Sequence, residues 1–206
     1  MASKQIPLQN TYYLIRHGQA LSNVSNILIS SIELSDESPL TDQGIQEIEH
    51  LGLRLHTEQI TGIISSDFLR TRQTAGILAT QLGVPILLDK RLRERYLGDF
   101  NGKHIDTMRS EVSLTDLQWN TCSHRMEPYQ YVLDRMIDLL RELEQTRKGE
   151  HIVLVSHSAP LRILMGWFLG IRGAELSPRS ITMNQVTELA NGEVIKVTER
   201  TEKELG

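Results

Sequence analysis

A short apolar run at residues 12–15 constrains the fold most, because two reactive side chains follow it directly. Its length is typical of a buried strand, and Gly18 permits a sharp turn after it. Arg16 and His17 are therefore expected at the carboxyl end of a strand, where open α/β sheets bind their ligands. A neutral imidazole there can act as a nucleophile while the guanidinium beside it holds an anion. Ordinary polar residues at a strand exit would give the same tripeptide, so the interpretation depends on partners found later in the chain.

Two later segments supply such partners. The run at 152–155 is continuous and rich in β-branched residues, as is typical of a strand buried on both faces. His157 follows it, and Pro160 fits the first turn of the next helix. Arg70 lies in the first turn of a helix predicted over 67–82, where the helix dipole already makes the terminus positive. A cation at that position is understandable if an anion binds there.

Strands and helices alternate along the chain, which predicts an α/β fold. We expect a three-layer α/β/α sandwich whose mostly parallel sheet ends in an antiparallel edge hairpin. The hairpin is predicted from strands at 181–189 and 193–198, with Asn191-Gly192 at its turn.

Single segments give more detailed expectations. Thr41 is the predicted N-cap of one helix, and a strong amphipathic stripe predicts another over 127–147. Residues 24–39 are expected to form an irregular loop. We expect one domain over 1–206, with a small lid-like excursion around 103–129.

Charge and composition argue against several classes of partner. The net charge of -4 does not favour a nucleic-acid surface or an anionic membrane. No apolar run approaches the roughly 18 residues of a membrane-spanning helix, and the first ten residues lack the apolar core of a signal peptide. Cys122 is the only cysteine, which excludes an intrachain disulfide and fits a cytoplasmic protein. No cluster of potential ligands has metal-binding spacing, so we expect neither a metal nor a cofactor.

Taken in order, these and neighbouring residues resemble the histidine phosphatase superfamily, also called phosphoglycerate mutase-like. The resemblance spans roughly residues 12–198. The matching residues are Arg16-His17-Gly18 with Asn23; Pro39-Leu40-Thr41 with Gly44; Ser65-Ser66-Asp67 with Arg70-Thr71 and Gln73-Thr74-Ala75; Glu94 with Gly98 and Gly102; Glu127 with Arg135; and Ser156-His157 with Leu161-Arg162.

The resemblance implies a catalytic role for each of five residues. His17 would attack phosphorus and become a transient phosphohistidine. Arg16, Arg70 and His157 would bind the phosphoryl oxygens and stabilise the charge of the transition state. Glu94 would protonate the leaving oxygen and then activate the water that hydrolyses the phosphoenzyme.

The resemblance also implies contacts with a small phosphorylated substrate. Gln19, Asn23, Arg95 and Ser158 are the further residues expected to touch the phosphate or the rest of the substrate, together with Arg16 and Arg70. Such a site needs no metal.

Three functions are compatible with the resemblance. Hydrolysis is preferred, because mutases typically carry an asparagine where this chain has Ala159. They also carry two arginines in an insertion where residues 122–128 offer only Arg125. Phosphoglycerate mutase activity is the alternative. A phosphate-binding module without activity is the third, and it is disfavoured because all the reacting groups are present. The sequence names neither the substrate ester nor an oligomeric state.

Overall fold

A computed structural model describes residues 6–113, 119–176 and 190–197. It contains a five-stranded sheet of order β3-β2-β4-β1-β5. The four strands β1 to β4 are parallel, and β5 pairs with β1 in the antiparallel direction. The strands are β1 (Thr11–Arg16), β2 (Gly62–Ser65), β3 (Ile86–Leu88), β4 (His151–Ser156) and β5 (Val194–Val197). The predicted mixed sheet with an antiparallel edge is therefore confirmed, while the hairpin partner expected at 181–189 lies outside the described residues.

Helices cover both faces of the sheet, so the predicted three layers are also confirmed. On one face, Tyr12 and Leu14 of β1 pack in a hydrophobic cluster with α5 and α6. On the other face, Tyr13 and Ile15 pack in a second cluster with α2 and α3. This alternation follows from the two-residue period of a strand. The helices are α1 (Leu21–Ser25), α2 (Asp42–Leu55), α3 (Leu69–Leu82), α4 (Ile105–Glu111), α5 (Tyr129–Thr146) and α6 (Ser158–Phe168).

The start of one helix agrees with its prediction, and the starts of two others differ by two residues. Thr41 caps α2 as predicted, because its Oγ1 accepts a hydrogen bond from the Gly44 N–H at 3.0 Å. Helix α5 begins at Tyr129 rather than at 127, because Pro128 is extended and a residue before proline avoids the helical region. Helix α3 begins at Leu69 rather than at 67, because Phe68 is extended.

The segment predicted as an irregular loop at 24–39 contains regular structure. Helix α1 includes its first two residues, and a short 3-10 turn lies at Ser35–Glu37. The Asn23 side chain accepts a hydrogen bond from the Ala20 N–H at 2.9 Å, which closes the first turn of α1. No described helix is both long and apolar enough to span a bilayer. The extent of the single domain and the lid-like role of 103–129 stay predictions.

Candidate active site

The pairing of β1 with β4 brings the two histidines together. Arg16 lies opposite Ser156 in the register, so His17 and His157 leave the same edge of the sheet one residue later. The His17 N–H donates to the Ser156 carbonyl oxygen at 3.1 Å. The two imidazole rings lie edge to face with their centroids 5.2 Å apart. Both side chains are buried.

The turn after His17 depends on two glycines. A Cβ atom on Gly18 would lie 2.5 Å from the Gly44 carbonyl oxygen, and a Cβ atom on Gly44 would lie 2.0 Å from the Gln19 carbonyl oxygen. The Gly18 N–H donates to Thr74 Oγ1 at 3.2 Å, which ties the turn to α3. The turn therefore packs directly on the start of α2 and is hydrogen-bonded to α3. These two helices fix the position of His17.

Arg70 links the two histidines. Its Nε donates to His17 Nε2, and its Nη2 donates to His157 Nδ1, each at 3.0 Å. Nη2 also donates to the Ile29 carbonyl oxygen at 3.0 Å. The Arg70 side chain is buried, and its Nη1 has no hydrogen-bond partner among the described residues. A buried guanidinium nitrogen with unused donors is suited to a phosphoryl oxygen.

These contacts define the tautomers of both histidines. A guanidinium can only donate, so His17 Nε2 and His157 Nδ1 carry lone pairs. The proton of His17 is on Nδ1, which donates to the Gly18 carbonyl oxygen at 2.8 Å. The proton of His157 is on Nε2, which donates to Ser66 Oγ at 2.9 Å. Both rings are neutral in this arrangement, and the lone pair of His17 Nε2 is a nucleophile.

Burial and charge keep the rings neutral. Burial, followed by the positive charge of Arg70, holds the pKa of His17 and of His157 well below the usual 6.5. Burial also lowers the pKa of Arg70 to about 10, while the nearby Glu94 carboxylate raises it. Arg70 is therefore charged at neutral pH. The site pairs an uncharged nucleophile with a buried cation, which suits attack on an anion.

A cavity of about 260 Å³ gathers most of the predicted site residues. Arg16, His17, Arg70 and Glu94 all line it. Asn23 and Ser158, two of the expected substrate contacts, are in the lining as well. The Asn23 Oδ1 also accepts from Asn191 Nδ2 at 3.0 Å, which connects α1 to the turn before β5.

The lining of this cavity also includes aliphatic residues, and it shares one carboxylate with a larger cavity. The aliphatic residues are Ile27, Leu28, Ile29, Leu97 and Ile105. A second cavity, of about 650 Å³, also has Glu94 in its lining. Glu94 therefore lies where a leaving group could extend from the phosphoryl site into the larger space.

Two predicted substrate contacts are not brought into the cavity lining. The buried Arg95 donates to the Glu127 carbonyl oxygen at 2.7 Å and to Tyr129 Oη at 3.0 Å. Its guanidinium also stacks 3.9 Å above the Tyr129 ring. The expected substrate contact of Arg95 stays a prediction. The Gln19 side chain accepts from Thr41 Oγ1 at 2.8 Å and supports the start of α2 instead.

The sequence pattern gave no role to Ser66, whose Oγ accepts a hydrogen bond from His157 Nε2. A signal was present, because Ser66 directly follows β2 and polar residues at neighbouring strand exits tend to meet. Among the described residues, no three His, Cys, Asp or Glu side chains are grouped so that they could hold a metal ion.

The fold and this pair of histidines define a class of protein. The family model of the histidine phosphatase superfamily (branch 1) matches residues 12–198, and the chain belongs to that superfamily. Members of the superfamily are phosphatases or mutases.

The names of individual relatives and structural neighbours include both kinds. The chain is 36% identical over 164 residues to the "Probable phosphoglycerate mutase GpmB" of Citrobacter koseri, covering 77% of this chain and 74% of that protein. Bacillus stearothermophilus YhfR is 27% identical with a TM-score of 0.78, over 92% of this chain and 91% of that one. A mycobacterial glucosyl-3-phosphoglycerate phosphatase has the same fold, with a TM-score of 0.77 at 22% identity over 91% and 92% of the two chains.

Proposed function

We propose that the protein hydrolyses a small phosphate monoester through a phosphohistidine on His17, without a metal ion. The observation that supports this most is the hydrogen-bonded series Gly18–His17–Arg70–His157–Ser66. It leaves the lone pair of His17 Nε2 beside a buried cation, and this is the combination that attack on a phosphate ester needs.

In the proposed first step, His17 Nε2 forms a bond to phosphorus as the bond from phosphorus to the ester oxygen breaks. The Arg70 Nε–H exchanges its bond to His17 for a phosphoryl oxygen, and Nη1 donates to the same group. Arg16 stabilises the remaining charge, and His157 holds Arg70 Nη2 in place through the lone pair of its Nδ1. Glu94 enters this step in the protonated form that the second step regenerates, and it gives its proton to the leaving oxygen, so the alcohol departs neutral.

In the second step, Glu94 takes a proton from a water molecule as that water attacks phosphorus. The bond from phosphorus to Nε2 breaks, inorganic phosphate leaves, and His17 returns to its neutral form. One carboxylate serves both steps, because the acid of the first step is the base of the second.

The cavity lining supports hydrolysis of an ester with a small, partly apolar alcohol. Arg16 and Arg70 together match the charge of one phosphoryl group. The aliphatic residues in the lining of the smaller cavity offer apolar contacts to the alcohol. Phosphoglycerate mutase activity is the second candidate, and the names of the bacterial relatives support it.

The test is the release of inorganic phosphate from a panel of esters with chelator present. The panel contains an aryl phosphate, sugar phosphates, phosphoglycerates, nucleotides and α-ribazole phosphate. We expect release by the wild type and by His50→Asn, an exposed histidine on α2, and a loss of about 10⁴-fold or more in His17→Asn. A second assay follows interconversion of monophosphoglycerates with and without a bisphosphoglycerate primer. Primer-dependent interconversion without phosphate release would replace hydrolysis by the mutase reaction, and binding without turnover would contradict both.

A further inference from the structure

The loop that carries Glu94 is held by an ion pair whose two side chains belong to the lining of the larger cavity. Arg135 on α5 donates to Glu127 twice, from Nε to Oε1 at 2.9 Å and from Nη2 to Oε2 at 3.2 Å. Both side chains are mostly buried, with 18% and 19% of their surface exposed. Charge-assisted, two-point pairs of this kind have a well-defined geometry.

The pair binds the loop on both sides of Glu94. Arg135 Nη1 donates to the Arg91 carbonyl oxygen at 2.5 Å, and Nη2 donates to the Glu94 carbonyl oxygen at 3.3 Å. On the other side, Glu127 Oε2 accepts from the Tyr96 N–H at 3.1 Å, and the Glu127 N–H donates to the Tyr96 carbonyl oxygen at 2.8 Å. The loop backbone before, at and after Glu94 therefore depends on this pair.

Arg95 completes the support. Its backbone N–H donates to Glu94 Oε1 at 2.8 Å, so the position of this amide affects the orientation of the carboxylate. Its buried side chain holds the Glu127 carbonyl oxygen and stacks on Tyr129, the first residue of α5. Helix α5 is part of the larger hydrophobic cluster, so it provides a rigid reference for an otherwise irregular loop.

We propose that Arg135, paired with Glu127, is a positioning residue for the Glu94 carboxyl group in proton transfer to the leaving oxygen. The inference rests on the proposed function. Since Arg135 acts on the loop backbone and not on the phosphoryl group, its loss displaces the proton donor and leaves the nucleophile and its arginines in place. A displacement of about 1 Å at a reacting group is enough to lower a rate by about 100-fold.

The leaving group distinguishes this role from general support of the fold. An alkoxide leaves poorly and needs a proton from Glu94, whereas 4-nitrophenolate leaves well without one. The quantity to compare is kcat/KM, because it reports the steps up to formation of the phosphoenzyme and not its hydrolysis. A positioning role predicts a loss that is large for alkyl esters and small for the nitrophenyl ester.

The experiment measures kcat/KM of Arg135→Met and Arg135→Lys with a short alkyl phosphate and with 4-nitrophenyl phosphate. The nitrophenyl ester is the bulkier of the two, so it would lose at least as much as the alkyl ester if Arg135 only contacted the leaving group in the larger cavity. We expect a loss of about tenfold to 100-fold with the alkyl ester and about twofold or less with the nitrophenyl ester. Arg135→Lys keeps the charge but not the fork, and it should lie between wild type and Arg135→Met. The control is Arg147→Met, which removes another half-buried arginine–glutamate pair just after the same helix. Its ratio of the two kcat/KM values should equal that of the wild type.

Equal losses with both esters would show a structural role only and would overturn the proposal, as would unchanged values in both variants. Thermal unfolding of each variant shows whether it is folded at the assay temperature. If Arg135→Met unfolds, Arg135→Lys and Glu127→Gln are measured with the same two esters. A wild type that releases no phosphate would instead overturn the proposed function, so the two failures are distinguishable.

Discussion

Replacing Arg70 by methionine tests the central contact of the site. The substitution keeps an unbranched side chain of similar length, and methionine favours a helix about as well as arginine does. It removes three hydrogen bonds, to His17, His157 and the Ile29 carbonyl oxygen, together with the unused donors of Nη1. Both histidines keep their contacts to Gly18 and Ser66.

The expected loss of activity in Arg70→Met follows from the number of hydrogen-bond donors that the substitution removes. Loss of one preorganised donor to a developing oxyanion lowers kcat by about 10²–10³-fold, which corresponds to about 2.7–4 kcal/mol. Arg70 has two nitrogens placed for phosphoryl oxygens, the unpartnered Nη1 and the Nε that now holds His17. Donors that act as a unit are not additive, so we expect a loss of about 10³–10⁴-fold in kcat/KM.

The assay is phosphate release from an aryl phosphate by the wild type, Arg70→Met and the control Arg72→Met. Arg72 lies on the same helix turn, but its side chain is 45% exposed and pairs with Asp36 at the surface, so its loss should change kcat/KM by less than about twofold. If Arg70→Met retains activity within tenfold of the wild type, the oxyanion role assigned to Arg70 is wrong.

The same variant should shift the pH dependence. Burial lowers the pKa of His17 most, and the charge of Arg70 is the next cause. Without that charge the pKa of His17 rises towards its usual value, and a protonated His17 cannot attack phosphorus. The acid limb of the kcat/KM profile should therefore move to higher pH in Arg70→Met. An unchanged limb would mean that another group controls it.

Two further predictions concern stability. Gly18→Ala should lower the free energy of unfolding by about 1–3 kcal/mol, because its Cβ would lie 2.5 Å from the Gly44 carbonyl oxygen. Gly76→Ala, with no atom within 4 Å of its Cβ, should raise it by up to about 1 kcal/mol; urea denaturation measures both, and equal effects would contradict the packing argument. His17 and His157 bind protons more weakly in the folded state than in the unfolded state. Their protonation should therefore not reduce the free energy of unfolding above about pH 6.5. This free energy should fall below that pH by about 1.4 kcal/mol per pH unit for each histidine. His157→Asn should show a smaller slope than the wild type, and an identical slope would exclude His157 as a source.

Local patterns predicted the elements better than their arrangement. The apolar runs before His17 and His157 indicated both strands, because a buried strand of a parallel sheet is continuously apolar. That β4 lies next to β1, in a register that sets Arg16 opposite Ser156, depends on packing of the whole chain. The apolar runs therefore placed each histidine at a strand exit, and only the family resemblance implied that the two act in one site.

The direction of the Arg95 side chain could not be predicted, for a different reason. Residues of a helix or strand have a periodic direction, but residues of an irregular loop do not, so their side-chain directions cannot be obtained from sequence. Glu94 and Arg95 are neighbours, yet Glu94 lines the cavity while Arg95 is buried against Tyr129. Its partner lies 34 positions further along the chain, and no local pattern connects the two.

The hydrogen bond from Arg70 to His17 also affects which molecules can react with the nucleophile. The lone pair of Nε2 is occupied by the guanidinium, so a neutral electrophile must break that bond without offering the cation anything in return. An anionic phosphate ester supplies oxygens that accept the same N–H as phosphorus approaches. Arg70 therefore releases the His17 lone pair only to a substrate that carries negative charge. The site distinguishes anionic esters from neutral electrophiles before it contacts the leaving group.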